Sequence, residues 1–216
     1  RDEGGLHTLL TTANYWSGYG GREIAVWCRL FAADGQALAT WQEPVRPDGA
    51  SLVIDSQAVR QRFGLGPFTG PLFLHVIGAV GHDVVKYALD VTSDDGRTLS
   101  SSHDANAWPA DRYAGLPAPT AAETVILWLQ NSHPAAIPKG AIGLNVMGES
   151  RVVCLDKAIA PFASLALDTR QLHPAAVWPS QFEVQAGKHM VRPRYEVVGG
   201  PGRRIAHVNV ERADLA

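Results

Sequence analysis

Apolar residues in this chain come in short runs separated by turn signals, a pattern typical of β-strands. The run at 23–31, EIAVWCRLF, is followed by Asp34-Gly35, a hairpin signal, and 37–41 is predicted as the returning strand. Further strands are predicted at 52–54, 71–77, 84–91, 97–102, 124–130, 141–147, 151–155, 164–167, 181–185, 189–198 and 203–210. Many short strands joined by turns predict an all-β fold.

Three segments interrupt the strand pattern. Residues 56–63, SQAVRQRF, contain good helix formers and stop at Gly64, which predicts a short connecting helix. Pro193 lies inside the predicted strand 189–198, which favours an edge strand or a bulge there. Residues 107–121 are rich in Pro, Ala and Gly and are the best candidate for a linker.

The two halves of the sequence resemble each other in four collinear blocks. The matching blocks are ASLVIDSQ (50–57) with ASLALDTR (163–170), LFLHVIG (72–78) with QFEVQAG (181–187), DVVKYALDV (83–91) with HMVRPRYEV (189–197), and GRTLSSSHD (96–104) with GRRIAHVNV (202–210). Each match is weak, but their shared order indicates an internal duplication.

A duplicated unit of about 100 residues with about seven strands has the size of one immunoglobulin-like or fibronectin-like sandwich. The sequence therefore predicts two tandem antiparallel β-sandwich domains, 1–118 including the linker and 119–216. The alternative is a single double barrel of the cupin type. Such barrels usually carry closely spaced histidines, and no H-x-H motif occurs in this sequence.

Composition excludes several classes of protein. The chain has 216 residues, of which 46% are hydrophobic and 19% charged, so it is not expected to be disordered. A net charge of −2 gives no basic field for nucleic acid, and no apolar run approaches the ~20 residues of a membrane span. Cys28 and Cys154 both lie in apolar runs and are predicted to be buried thiols without a disulfide framework.

The first candidate site is the loop NYWSGYGG, in which Tyr15, Trp16 and Tyr19 stand among glycines. Aromatic rings on such a loop can bind a sugar or another planar ligand. The competing interpretation is that Trp16 covers the end of a core.

A second candidate site follows the last strand of the first half. Polar and aromatic residues concentrate there, as small-molecule clefts between domains often require. These residues are His103, Asp104, Asn106, Trp108 and Tyr113. His103 and Asp104 are adjacent and would point to opposite faces of a strand. A linker whose polar groups form turns is the competing interpretation.

Two further candidates lie on strands of the second half. His207 and Asn209 share one face of the predicted strand 203–210, which could bind a metal, a sugar or a partner strand. Arg192 and Arg194 share a face and would form a basic patch with the arginines at 203 and 204 if a hairpin forms, suited to an anionic group. Solvated sheet faces are the competing interpretation of both.

These observations favour a non-catalytic binding or assembly module that presents aromatic loops and strand edges to a protein or glycan partner. The sequence has no G-x-S-x-G, P-loop, C-x-x-C or H-E-x-x-H motif. No cofactor, nucleic acid or membrane span is predicted. Exposed edge strands could pair with a second copy of the chain and so form a homo-oligomer. The alternative is an enzyme or metal-binding protein with a site between the domains, centred on His103 and Asp104.

Overall fold

The fold is all-β, as predicted, and the computed structural model contains several antiparallel sheets. It describes the backbone, and all side chains except those of 209 and 210, for residues 1–47, 49, 51–81, 83–105, 109–200 and 203–210. Every strand pair within these residues is antiparallel. Contacts divide the chain into two compact units, Arg1–Asn106 and Ala107–Ala216.

The first unit contains two sheets. Its strands are β1 (Asp2–Glu3), β2 (Leu6–Ala13), β3 (Ala25–Phe31), β4 (Ala37–Pro44), β5 (Ser51–Asp55), β6 (Leu72–Ile77), β7 (Tyr87–Ser93) and β8 (Leu99–Asp104). One sheet has the order β5-β2-β7-β8, with β1 also paired to β2, and the other has the order β4-β3-β6. The helix α1 (Ser56–Phe63) follows β5 directly.

The second unit also contains two sheets. Its strands are β9 (Arg112–Pro117), β10 (Glu123–Gln130), β11 (Gly143–Val146), β12 (Val153–Cys154), β13 (Ser164–Asp168), β14 (Gln181–Gln185), β15 (Arg194–Gly199), β16 (Arg204–His207) and β17 (Asn209–Val210). Their orders are β13-β10-β15-β16 and β12-β11-β14-β9-β17. Short 3-10 turns lie at Ser17–Tyr19 and Thr169–Gln171.

Each unit has a hydrophobic core to which both of its sheets contribute. In the first unit, Leu10 and Ile54 from one sheet join Val26 and Trp41 from the other. In the second, β10 shows how the sequence produces this arrangement, because Val125, Leu127 and Leu129 alternate with less buried residues. Alternate side chains of a strand point to opposite faces, so one apolar face must be covered.

The helix predicted at 56–63 is confirmed with both ends in place. The Asp55 carboxylate accepts a hydrogen bond from the Gln57 amide at 2.8 Å, which satisfies one of the unpaired N–H groups of the first turn. Gly64 ends the helix with φ of +61°, a left-handed conformation that glycine adopts without the cost of a Cβ.

Three strands, β1, β2 and β9, lie where the apolar pattern predicted none. The run LHTLLTTA of β2 carries threonines at positions that the pattern counts as polar, although threonine is a good strand residue. The strand β9 lies inside the segment whose Pro and Ala content predicted a linker. Tyr113 and Leu116 are fully buried there, and this burial holds the segment in the sheet. The domain boundary at 118 remains a prediction.

The prediction for Pro193 is wrong. The strand begins one residue later, at Arg194, so the proline stands outside it. The strand β15 is also not an edge strand, because it pairs with β10 on one side and with β16 on the other. A proline just before a strand removes no N–H from the ladder.

The prediction of two buried thiols holds for Cys28 only. Cys28 lies in the first core on the central strand β3, and burial raises the pKa of its thiol to about 12. Cys154 is exposed, because β12 is a two-residue strand at the edge of its sheet. An apolar run at a sheet edge has no second neighbour to cover it.

We expect an aromatic disulfide reagent at about pH 8 to label Cys154 in the native chain and Cys28 only after unfolding, because a thiol far below its pKa is protonated and unreactive. Absorbance of the released thiolate measures this. Cys28→Ser is the control and should leave native labelling unchanged, whereas Cys154→Ser should abolish it. Rapid native labelling of Cys154→Ser would contradict the burial of Cys28.

Candidate ligand-binding groove

The aromatic loop of the first unit divides into a buried and an exposed part. Trp16 is fully buried in the core, the arrangement expected if it covers the end of that core, so its ring is not available to a ligand. Tyr15 packs against Trp16 with ring centroids 4.6 Å apart, and its hydroxyl accepts a hydrogen bond from the Lys86 amide. Burial raises the pKa of Tyr15. Tyr19 alone of the three is largely exposed.

The residues around His103 do not form a His–Asp pair. His103 and Asp104 are consecutive residues of β8, opposite Ala88 and Tyr87, and therefore lie on opposite faces of the sheet. The Asp104 carboxylate accepts a hydrogen bond from the next backbone amide at 2.9 Å. Asn106 and Trp108 lie outside the described residues.

Tyr113 is an internal anchor of the second unit and not a surface aromatic. Its side chain is fully buried, and its hydroxyl donates to the Met190 carbonyl at 2.9 Å. The same hydroxyl accepts from the Ala110 amide at 3.1 Å. The phenol thus links β9 to a loop 77 residues further along the chain.

The basic strand residues of the second unit are partly neutralised. The expected hairpin forms, and Arg194 lies opposite His207 in the pairing of β15 with β16. Arg203 donates a hydrogen bond to the buried carboxylate of Glu196, so that guanidinium is matched by a carboxylate. Arg192 is half-buried. The side chain of Asn209 lies outside the described residues.

The prediction of one continuous strand at 203–210 is wrong. His207 ends β16, whereas Asn209 begins β17, which belongs to the other sheet of the unit. These two residues therefore do not lie on one face of a single strand.

Within the part of the chain that the structure describes, no three His, Cys, Asp or Glu side chains come together as a metal site would require. Among the same residues, no helix has the length and apolar character of a membrane span.

The structure reveals a groove of about 530 Å³ in the second unit. Its floor is the inner face of the sheet that contains β10, β15 and β16. Val125 pairs with Val197, which pairs with Arg204, and Tyr195 in the next row pairs with Ala206. Gly115 and Pro117 of β9 line it from the other sheet. Strand pairing thus brings residues that are far apart in the chain, between Gly115 and Ala206, to one concave surface.

A charged pair lies at one end of the groove. The Glu123 carboxylate accepts hydrogen bonds from Arg204 Nη2 at 2.5 Å and from Thr120 Oγ1 at 2.8 Å. The Thr120 hydrogen bond, and then the charge of Arg204, hold the pKa of Glu123 below its usual value. Arg170 donates to the Thr120 carbonyl at 2.8 Å and so fixes the segment that carries this hydroxyl.

The last residue of β15, beside this charged pair, is a glycine. Gly199 lies opposite Glu123, and a Cβ on Gly199 would stand 2.4 Å from the Ala122 carbonyl oxygen. Its φ of +97° is also one that residues with side chains rarely adopt. The close approach of the two backbones at the groove therefore requires glycine.

Trp178 and Gln181 add an aromatic ring and a side-chain amide to the lining of the groove. Trp178 has 54% of its surface exposed, and its backbone amide donates to the Pro119 carbonyl at 3.2 Å, which holds the loop beside β9. The peptide bond that follows Trp178 is cis. Gln181 begins β14 and lies opposite Pro117. Within the described residues, the side chains of Trp178, Gln181 and Tyr195 make no hydrogen bond to protein.

Sequence reasoning missed this groove. Glu123, Trp178, Tyr195 and Arg204 are separated by up to 81 residues and come together only through strand pairing. A tryptophan in the loop segment AVWPSQ was the one local signal, because a large aromatic side chain outside a predicted strand has no predicted core to fill.

The sequence matches no protein-family model and has no significant similarity to a curated protein.

The first unit contains a chain of hydrogen bonds that resembles a hydrolytic triad in connectivity. Thr92 Oγ1 lies 2.6 Å from His7 Nε2, and His7 Nδ1 lies 3.4 Å from Asp94 Oδ1. His7 and Thr92 are direct cross-strand partners of β2 and β7. The Asp94 side chain is 64% exposed, so solvent screens its charge, whereas acyl-transfer sites exclude water. We interpret the chain of bonds as a cross-strand link.

Thr92→Val removes the hydroxyl and retains the β-branched shape. We expect it to leave the rate of p-nitrophenyl acetate hydrolysis by the purified protein unchanged, because Thr92 is not a nucleophile. Release of p-nitrophenolate measures this rate. A fall of about tenfold or more, shared by His7→Gln, would establish a catalytic triad instead.

Tyr113→Phe is expected to lower the free energy of unfolding by about 1–2 kcal/mol, because the Met190 carbonyl and the Ala110 amide lose a buried partner. Urea denaturation followed by circular dichroism measures this change. Tyr19→Phe removes a hydroxyl from an exposed ring, and its expected effect is within about 0.5 kcal/mol. Equal effects of the two variants would show that the buried hydroxyl contributes nothing specific.

Proposed function

We propose that this chain is a non-catalytic binding module of two tandem β-sandwich domains derived from an internal duplication, and that the groove of the second unit binds a glycan. The single observation that carries the functional part is the groove itself, with the exposed ring of Trp178 beside a hydrogen-bonded carboxylate.

Strand order supports the duplication. The sheet β5-β2-β7-β8 of the first unit corresponds, strand for strand along the chain, to β13-β10-β15-β16 of the second. In the same way β4-β3-β6 corresponds to β12-β11-β14, to which the second unit adds β9 and β17. Two sheets whose inner faces share one core are the definition of a sandwich, which supports that architecture for each unit.

Strand register supports two of the four sequence blocks. Leu10 pairs with Ile54 and Leu89, just as Leu127 pairs with Leu167 and Tyr195. The first block aligns Ile54 with Leu167, and the third aligns Leu89 with Tyr195. After both strands an aspartate caps the next turn, since Asp55 and Asp168 each accept from the amide two residues later.

The other two blocks align different positions from those that strand pairing relates. The second block aligns the buried Val76 with Gln185, whereas the buried residue of β14 is the preceding Val184. This block therefore aligns residues that point to opposite faces of their strands. The fourth block is shifted by two residues, since pairing with Leu89 and Tyr195 relates Ser102 to Ala206. Support for the duplication therefore comes from the strand order and from the first and third blocks, and not from the second and fourth.

The chemistry of the groove supports a glycan. Sugar rings carry apolar C–H faces, which pack on aromatic rings. They also carry hydroxyls, which need hydrogen-bond donors and acceptors. Trp178 supplies an exposed ring, and the Gln181 amide, the Tyr195 hydroxyl and the Glu123 carboxylate supply polar groups. Few polar groups around an apolar surface are typical of a small-molecule site.

The same lining supports binding without hydrolysis. Glycoside hydrolysis ordinarily needs two carboxyl groups across the scissile bond, one of them protonated. Among the described residues that line the groove, Glu123 is the one carboxylate, and its hydrogen bonds favour the ionised form. A protein partner that binds edge strands, a second copy of the chain included, remains a prediction of the sequence.

Trp178→Ala is expected to reduce retention of the protein in gels that contain the polysaccharide it binds by at least about tenfold, because it removes the exposed aromatic ring on which a sugar would pack. Affinity electrophoresis against β-glucan, xylan, galactomannan, galactan and pectin measures this retention. Val177→Ala is the matched control, since Val177 is also 54% exposed and lies next to Trp178 outside the groove lining.

Two results would overturn the proposal. One is that the wild-type protein is retained by none of the polysaccharides. The other is that Trp178→Ala and Val177→Ala are retained as strongly as the wild type, which would locate any glycan contact elsewhere.

A further inference from the structure

Resting on the proposed glycan function, we infer that the groove selects an uncharged sugar residue, with Glu123 as the acceptor of its hydroxyls and Arg204 as the residue that balances and orients Glu123. Three features of the groove decide which glycans bind. They are its charge, the remaining hydrogen-bonding capacity of Glu123 and the position of the neighbouring polar groups.

The described lining of the groove is electrically balanced. Glu123 and Arg204 are its charged members, and they are bonded to each other at 2.5 Å. The Arg204 side chain is 61% exposed and that of Glu123 is 11% exposed, so the carboxylate is the more confined of the two charges. A confined charge is less screened by solvent and has the greater influence on a ligand.

Glu123 retains acceptor capacity after its protein contacts are made. A carboxylate has about four lone-pair sites, and the two protein bonds of Glu123 engage one oxygen each. Hydrogen bonds from neutral hydroxyls to an ionised carboxylate are stronger than those between neutral groups. A sugar hydroxyl that reaches this carboxylate therefore gains a strong bond without placing a second charge in the groove.

An acidic sugar has the opposite balance. Its carboxylate would enter a groove in which Arg204 is already paired with Glu123, and would repel the less screened Glu123 charge. Discrimination against such a ligand comes from this unfavourable pair of like charges rather than from an added contact with the neutral sugar.

The neighbouring polar groups fit a ligand rich in hydroxyls. Tyr195 lies on the floor of the groove one row from Val125, and burial raises the pKa of its phenol, which remains protonated as a donor. The Gln181 amide offers both a donor and an acceptor. Neither group supplies a positive charge that would favour an acidic sugar.

Glu123→Gln tests the inference, because it removes the negative charge, keeps the shape and leaves Arg204 unbalanced. Isothermal titration compares polygalacturonate with its methyl ester, a neutral polymer that has the same linkage and lacks the charge on each residue. The wild type is expected to bind the neutral polymer at least about tenfold more tightly, and Glu123→Gln to lose that preference in favour of the acidic polymer. Glu149→Gln is the control, since Glu149 is exposed outside the groove lining and its substitution changes the net charge equally.

The possible failures are distinguishable. Binding of neither polymer, with no retention by the neutral β-glucan, xylan, galactomannan or galactan, would overturn the glycan function itself. Wild-type binding to polygalacturonate as strong as to its methyl ester would overturn the selectivity and leave the glycan function standing. If Glu123→Gln unfolds, the exposed Arg204 is replaced instead. Arg204→Gln leaves Glu123 unbalanced and is expected to strengthen the exclusion of polygalacturonate, and weaker exclusion would overturn the inference.

Discussion

The two-residue period of the β-strand is the constraint on which the second unit depends. It places Glu123, Val125, Leu127 and Leu129 on one face of β10, so a charged residue shares the inner face with core residues. A carboxylate on that face needs polar partners, because burying an unpaired charge is costly. Thr120 and Arg204 provide them, and the inner face changes from core to groove at the point where these partners begin.

The first unit meets the same constraint with an apolar residue. Leu6 pairs with Ser93 at the register position where Glu123 pairs with Gly199, and Leu6 is buried. Further along the same two sheets, Ser100 occupies the position of Arg204. The charged pair of the groove has no counterpart at these positions. Two units with the same strand order thus differ in whether the margin of the inner face is apolar or charged.

Local signals in the sequence predicted the fold better than they predicted the sites. The helix at 56–63 was predictable because Asp55 and Gly64 act on neighbouring residues. Trp16 and Tyr113 were candidate ligand contacts because of their residue type, and for Trp16 the competing interpretation, cover of a core, is the one the structure shows. The sequence alone could not decide, because burial in a core depends on distant strands. The groove could not be predicted, since Glu123 and Arg204 meet only after β10, β15 and β16 have paired.

The position of β9 has a consequence for synthesis of the chain. This strand opens the second unit, yet it is hydrogen-bonded between β14 and β17, whose residues are translated much later. At ~5–20 residues per second, β9 waits on the order of ten seconds for partners to leave the ribosome. During that time its apolar side chains are exposed to other nascent chains, and contacts of such high sequence separation also form slowly. The second unit therefore closes only after β14 and β17 have been made, although its first strand is made much earlier.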